Sequence, residues 1–333
     1  TEIYTLSLHD ALPISSKDLL DLAPFQWEQK STPLAARGLT YGYAVVRRTS
    51  GSDQFVCYGV LNDNLNGDGA FVPMVPNDTP SRTSAALVPV VLEAAGYTSE
   101  MTFANRTNRD ISGLFALVPR TDPVPDWGYF DLPARSQFTV PNVVAELRRI
   151  GFRAPSGTVA SVFAQFLDGQ FREDQSDTQA PIPTSDGFLG VRTTTTRAGG
   201  LLGLAYGYTP IGEAADTEAW VYGLQQTGTR GQEGGTRANL AVGHALGGQV
   251  EPLQLEVTYF GPNGNELGKE PQCSPCTLAP GQFLQFDSAL ARFGVAQGYA
   301  RIRRLSGTDQ FLAYGVLNDQ GNDDGSYVPM IVP

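Results

Sequence analysis

Histidine, cysteine and lysine are all scarce in this chain. There are two histidines and three cysteines in 333 residues, and lysine stands only at positions 17, 30 and 269. Cys273 and Cys276 make a single CxxC with no second pair to complete it, whereas a structural zinc site needs about four ligands. A formal net charge of −11 with little lysine repels nucleic-acid phosphates, and no basic stripe in the sequence offsets it. No apolar run approaches the ~20 residues of a membrane-spanning helix. Phosphate-loop and dinucleotide fingerprints are also missing; "RAGGLLGLAYG" has the glycines but neither their spacing nor a strand–helix context.

What is present is glycine (37), proline (23) and aromatic residues (10%). That mixture favours short strands joined by many turns. Apolar residues make up 41% and charged residues 17%, enough for a core and too little charge for global disorder. The length predicts two or three domains.

Repetition organises the chain. "GYAVVRRTSGSDQFVCYGVLNDNLNGDGAFVPMV" from Gly42 and "GYARIRRLSGTDQFLAYGVLNDQGNDDGSYVPMI" from Gly298 align without a gap, with about two thirds of positions identical. Ala23-Pro24-Phe25-Gln26 precedes the first string and Ala279-Pro280-Gly281-Gln282-Phe283 the second. A diverged copy lies between them. "LPARSQFTVPNVVAELRRIGF" from Leu132 resembles "LAPGQFLQFDSALARFGV" from Leu278, and Ala205-Tyr206-Gly207 aligns with Ala313-Tyr314-Gly315. The expected organisation is a truncated first module at 16–78, a second at 87–218 with an insertion at 153–189, and a third at 219–333.

Period-two alternation predicts strands, including Tyr43, Val45 and Arg47 on one face and Phe55, Cys57 and Gly59 on another. Ser50–Asp53 and Ser306–Asp309 read as hairpin turns, and Gly261-Pro262-Asn263-Gly264 as another. Val143–Arg149 and Ser288–Phe293 read as single helical turns. Long helices are not encoded, so the expected fold class is all-β: tandem antiparallel β-sandwich modules with short helical turns.

Thr1–Ile14 resembles translated sequencing-adapter DNA, so residues 1–15 are expected to be a non-native leader outside the fold. Ser7, His9 and Asp10 are therefore not offered as a triad, and adjacent residues rarely converge as one. A signal peptide is expected to have been lost with the truncated N-terminus.

The ending Ala313–Pro329, together with "RANLAVGHA" at Arg237, "LAPGQFLQFDSAL" at Leu278 and "GYARIRRLSG" at Gly298, resembles a group of uncharacterised bacterial secreted or cell-surface proteins with repeated immunoglobulin-like β-sandwich modules. The resemblance covers nearly everything after Ser16. It implies export and a multi-module architecture, and carries no catalytic residues.

Several groups invite chemistry. Asp63, Asn64, Asn66 and Asp68 in "NDNLNGDG", and Asp319, Asn322 and Asp324 in "NDQGNDDG", have the oxygen-donor character of a weak calcium loop. They read first as polar strand connections, since Asn, Asp and Gly cap their own backbones. Cys273 and Cys276 are disulfide candidates in a Pro-rich loop. Cys57 aligns with Ala313 and reads as a small core side chain. His244 reads as a hydrogen-bonded structural residue rather than a base. Glu93, Glu100, Asp110, Asp168, Glu173 and Asp174 read as surface carboxylates. Tyr58, Tyr206 and Tyr314 read as packed rings, with a sugar platform as the sharper alternative.

Together these features point to a non-catalytic extracellular structural or adhesive repeat segment of a bacterial surface or secreted protein, whose partners are other surface proteins or glycans. The alternative is a carbohydrate- or calcium-dependent binding module accessory to a missing enzyme domain. No cofactor is implied beyond that possible Ca²⁺, and no membrane span is encoded here.

Overall fold

The computed structural model describes residues 4–6, 20–65, 68–75, 84–122, 124–169, 182–197, 200–228, 234–246, 251–321 and 325–333. In chain order the strands begin with β1 (Tyr4–Leu6), β2 (Tyr58–Asn62), β3 (Gly69–Pro73), β4 (Ala85–Ala94), β5 (Tyr97–Asn105), β6 (Ile111–Pro119), β7 (Asp126–Leu132) and β8 (Gln137–Val140). Helix α1 (Val143–Arg149) follows, then β9 (Val159–Asp168), β10 (Gly187–Arg197), β11 (Gly200–Gly207) and β12 (Thr209–Pro210). The last stretch holds β13 (Glu218–Gln225), β14 (Thr236–His244), β15 (Leu253–Phe260), β16 (Glu266–Lys269), β17 (Cys276–Leu278), β18 (Phe283–Phe286), β19 (Gln297–Ser306), β20 (Phe311–Asp319) and β21 (Gly325–Pro329). The fold is all-β, built of antiparallel sheets.

The same strand order occurs twice. One sheet of the middle module runs β4-β9-β6-β7, and its counterpart in the last module runs β13-β19-β15-β16. The opposite sheets are β8-β5-β10-β11 and β18-β14-β20-β21. In the middle module the two halves are continuous through the β4–β5 hairpin, where only Glu93↔Thr98 and Ala94↔Tyr97 pair. Alternation then puts every second residue inside. Met101 and Phe103 of β5 meet Phe130 of β7, with Phe103 and Phe130 ring centroids 4.9 Å apart. In the last module Leu255, Val257 and Tyr259 of β15 and Ala300 and Ile302 of β19 face Leu240 and Val242 of β14 and Phe311 and Ala313 of β20.

Strand equivalence revises part of the sequence alignment. Tyr206 lies on β11, the counterpart of β21, and so matches the strand that carries Tyr327 rather than Tyr314. Val159–Asp168, expected within the insertion 153–189, is strand β9 with a counterpart in β19. The extra residues lie in the β9–β10 connection, much of it outside the described residues. Ser306–Asp309 is not a hairpin turn either, because β19 and β20 belong to different sheets. By contrast, Gly261–Gly264 does join a paired hairpin, β15–β16, with Gly264 at φ 81° and its N–H donating to the Gly261 carbonyl.

Helix α1 forms because Asn142 caps it, its side chain accepting from the Ala145 N–H at 3.0 Å. Val143, Val144 and Leu147 bury one face, and Gly151 at φ 112° ends it. Arg148 leaves the helix to grip Glu93 at 2.7 and 3.2 Å, while Asn142 donates to the same carboxylate at 3.1 Å. The Arg148 hydrogen bond holds the Glu93 carboxyl below its ordinary range, against the opposing effect of burial. A depressed folded-state pKa contributes stability above the unfolded value and loses it as pH falls through the folded one. The stability difference between the wild type and Glu93→Gln is therefore expected to be full at pH 6–8 and to shrink progressively as pH falls below about 4, the unfolded carboxyl range. Urea unfolding across that range checks it, and a pH-independent difference would refute it.

The first copy behaves differently from its twin. Among its described residues only β2 and β3 form strands, and residues 41–57 do not, so the predicted alternation of Tyr43, Val45, Arg47, Phe55 and Cys57 yields no sheet. Val45, Val46, Phe55 and Val56 are exposed, and Cys57 is half-buried, burial pushing its thiol up. The counterpart of this stretch, β19, lies between β13 and β15. The described part of the first copy has no equivalents of those two strands to pair with.

Tyr4–Leu6, expected outside the fold, adds in parallel to β7 at Gly128–Phe130. An open sheet edge accepts any extended backbone, so pairing there needs no particular side chains.

The two sandwiches meet at an apolar junction of Leu87, Ala214, Ala241, Ala245, Leu312 and Tyr314. The Tyr206, Tyr327 and Tyr314 rings stack in series at 6.1 and 5.5 Å, and Ser161 donates to the Gly281 carbonyl at 2.6 Å. Burial pushes the Tyr327 hydroxyl up to about 12.

Candidate functional site

The residues singled out by sequence do not gather in one place. Asp63 accepts from the N–H groups of Leu65 and Leu201, at 2.7 and 2.9 Å. Asp68 is buried and accepts from the Gly203 N–H at 2.8 Å, with Arg192 3.7 Å away. The two carboxylates thus clamp the β2–β3 hairpin onto β11. Asn64 is exposed, and Asp319 accepts from the Gly321 N–H in its own turn. Asn66, Asn322 and Asp324 lie outside the described residues. Among the described residues no group of three or more His, Cys, Asp or Glu side chains is placed to hold a metal ion.

Cys273 and Cys276 are joined in a disulfide beside β17. A loop this short constrains the unfolded chain by about 2 kcal/mol in the chain-entropy picture. Reduction is expected to lower the stability of the last module by that amount, measured by denaturation with and without reductant. An unchanged midpoint would count against it.

His244 is buried at the end of β14. Its Nδ1 lies 3.0 Å from the Ala245 carbonyl and its Nε2 2.8 Å from the Glu251 carbonyl, with Asp309 at 3.5 Å. It ties strand ends together. Of the carboxylates, Glu93 and Asp168 are ion-paired, Asp110 accepts from the Ala134 N–H, and burial pushes Glu100 up despite Arg192 nearby. Glu173 and Asp174 are outside the described residues. Tyr206 and Tyr314 are buried and Tyr58 is exposed, so these three form no platform. The Tyr206 hydroxyl donates to the Val90 carbonyl at 2.5 Å.

A different set of rings comes together on the outer face of the β13-β19-β15 sheet. The inward residues of these strands are Ala219, Val221, Ala300, Ile302, Val257 and Tyr259. Alternation therefore turns Glu218, Trp220, Tyr299, Arg301, Arg303, Glu256, Thr258 and Phe260 outward. Strand register arranges them in rows. Glu218 sits opposite Arg303, which sits opposite Glu256; Trp220 opposite Arg301, opposite Thr258; and Tyr299 opposite Phe260. Tyr222 joins the last row across the bulge between Val221 and Leu224, its ring 5.2 Å from that of Tyr299.

The four rings form one connected cluster. Trp220 and Tyr222 lie parallel at 5.9 Å and 5°, and Phe260 and Tyr299 at 5.1 Å and 8°. Trp220 is 5.9 Å from both Phe260 and Tyr299. Each ring is partly open to solvent, and Tyr222 is 44% exposed. The Trp220 Nε1–H donates to Glu218 at 2.8 Å, fixing the indole. The Arg301 guanidinium lies 5.8 Å over Trp220 and 5.5 Å over Phe260.

The row of Arg303 and Glu256 carries a charge trio, completed by Lys269 reaching across from its place opposite Thr258. Lys269 and Arg303 both hold Glu256, and the Lys269 hydrogen bond leads in keeping its carboxyl below the ordinary range. Such a face can stack against flat apolar surfaces, accept hydrogen bonds at its rim and offer a cation at its centre.

Sequence reasoning passed over these residues. The signal lay in "EAWVYGLQQ", where Trp220 and Tyr222 sit two apart on a strand. Their meeting with Phe260 and Tyr299 depends on β19 being inserted between β13 and β15, which no local pattern reveals.

Compared with known proteins, the chain matches no family model and no curated protein. One solved structure, "putative beta-galactosidase from bacteroides fragilis", is similar over 73% of this chain at 10% identity, with a TM-score of 0.15. This chain spans about a third of that structure, covering 32% of it.

Proposed function

We propose that this chain is a non-catalytic structural and adhesive segment of an exported bacterial surface protein, and that its last module binds glycans. The observation that carries this reading is the outward ring cluster of Trp220, Tyr222, Phe260 and Tyr299. Aromatic faces left partly open on a rigid sheet suit the apolar faces of sugar rings, and they present a binding surface with little side-chain entropy to lose. The repeated sandwich and its apolar junction support a stiff spacer that holds this face away from its attachment. The Cys273–Cys276 disulfide suits an oxidising compartment.

Affinity electrophoresis of the whole chain through gels containing neutral or acidic polysaccharides tests the reading. Retardation by at least one polysaccharide is expected, and Tyr222→Ala is expected to weaken it about tenfold or more, the scale on which one aromatic anchor acts. Migration unaffected by every polysaccharide would end the glycan reading.

A further inference from the structure

The centre of the ring cluster holds a charge that the fold leaves unanswered. Three cations lie on this face, Lys269, Arg301 and Arg303. Lys269 and Arg303 are engaged by Glu256. Arg301 has no carboxylate within ion-pairing distance among the described residues, and its Nε is shut from solvent without a hydrogen-bond partner. Thr258, directly opposite Arg301 in the sheet, is also buried, and its hydroxyl has no partner. In a chain of net charge −11 an unpaired arginine has no shortage of acids to pair with, yet here its neighbours are rings.

Resting on the glycan reading, we infer that the face takes sugars bearing a carboxylate, namely uronate-containing polysaccharides, and that Arg301 is the residue that selects them. The chemistry follows from the arrangement. Trp220 and Phe260 hold the guanidinium by cation–π contact, so little freedom is lost when it binds. The planar fork matches a carboxylate through two parallel N–H···O bonds. The parallel rings beside it receive the sugar's C–H face. Glu218 is fixed to the Trp220 indole, and Glu266 stands at the rim opposite Phe260, so neither lies in the row of Arg301. A neutral sugar would use the rings alone and leave the arginine without a partner.

The test is isothermal titration of the whole chain with polygalacturonate and with the same polymer after its carboxylates are reduced to alcohols. Polygalacturonate is expected to bind at least about tenfold more tightly, the usual worth of a hydrogen-bonded charge pair. Arg301→Gln is expected to bring its affinity down to that of the reduced polymer, with an unchanged unfolding midpoint. Arg301→Lys keeps the charge without the fork, and should retain only part of the preference. Arg303→Gln should leave the preference intact. Equal binding of both polymers, with loss in Tyr222→Ala, would overturn the carboxylate assignment while leaving the glycan reading standing. An equal loss in Arg301→Gln and Arg303→Gln would show a diffuse charge effect and also overturn it. If this chain bound neither polymer nor any neutral glycan, both readings would fall together.

Discussion

Replacing Glu270 by alanine is expected to destabilise the last module by about 1–3 kcal/mol. Glu270 is fully buried beyond the end of β16. Its carboxylate accepts from the Tyr259 hydroxyl at 2.8 Å and the Gln272 N–H at 3.0 Å, and it pairs with Arg292. Burial pushes the Tyr259 hydroxyl well above its ordinary range, and the adjacent carboxylate adds to the rise. The hydroxyl therefore remains a donor at any working pH. Removing the carboxylate leaves the fully buried Tyr259 hydroxyl without its acceptor, whereas Arg292 reaches solvent and can be hydrated, so the unsatisfied buried donor sets the cost. Removing both buried partners at once, as Glu270→Leu with Tyr259→Phe, should cost much less, because no buried polar group is then left unpaired. Chemical denaturation of the three proteins gives the comparison. A single-variant loss below about 1 kcal/mol would show that the network contributes little net stability.

The second large effect is a contrast between two phenylalanines at matching positions of the repeat. Phe311 is fully buried; it pairs with His244 of β14, and its backbone exchanges hydrogen bonds with Ala215 at 2.8 and 3.0 Å. Phe55, its twin in the first copy, is 40% exposed and in no strand. Phe311→Ala is expected to cost about 3–5 kcal/mol through lost transfer energy and the cavity left behind. Phe55→Ala should stay within about 0.5 kcal/mol. The flanking residues are nearly the same in both copies, so any difference between the two measurements reports tertiary context alone. Equal losses would mean that the first copy is packed in solution as tightly as the last. Hydrogen exchange gives an independent check: amides of 42–57 should exchange freely, and those of 298–313 should be protected.

That pair also shows what could be read from the amino acids. The all-β class was legible because alternation and turn residues are local signals. The candidate site was not. Trp220 and Tyr222 are neighbours in the chain, but Phe260, Tyr299 and Arg301 reach them only through a sheet order in which β19 lies between β13 and β15. The oxygen-rich loop was visible as a cluster, yet the role of Asp63 and Asp68 in gripping β11 depends on residues about 135 positions away. The tyrosine alignment misplaced Tyr206 because an Ala-Tyr-Gly triplet carries no information about which strand of a sheet it will occupy.

The turns follow the amino acids wherever they occur. At matching positions of the repeat, Phe25 and Gly281 have φ 63° and 71°, Thr32 and Ser288 have 49° and 52°, and Gly38 and Gly294 have 68° and 67°. Gln26 accepts from the Ala23 N–H at 2.9 Å as Gln282 does from that of Ala279 at 3.0 Å. Arg48 donates to the carbonyls of Ser52 and Asp53 as Arg304 does to those of Thr308 and Asp309. Each of these bonds closes within five residues, so the local chain suffices to make it. The strands at 298–306 and 311–313 are different, since their backbone groups are satisfied by distant segments, β13, β14 and β15 together with Ala215 and Thr217. Without such neighbours in the described chain, the same string at 42–57 keeps its turns and makes no sheet. A turn is enthalpically self-contained, whereas a strand must find its hydrogen bonds on another segment.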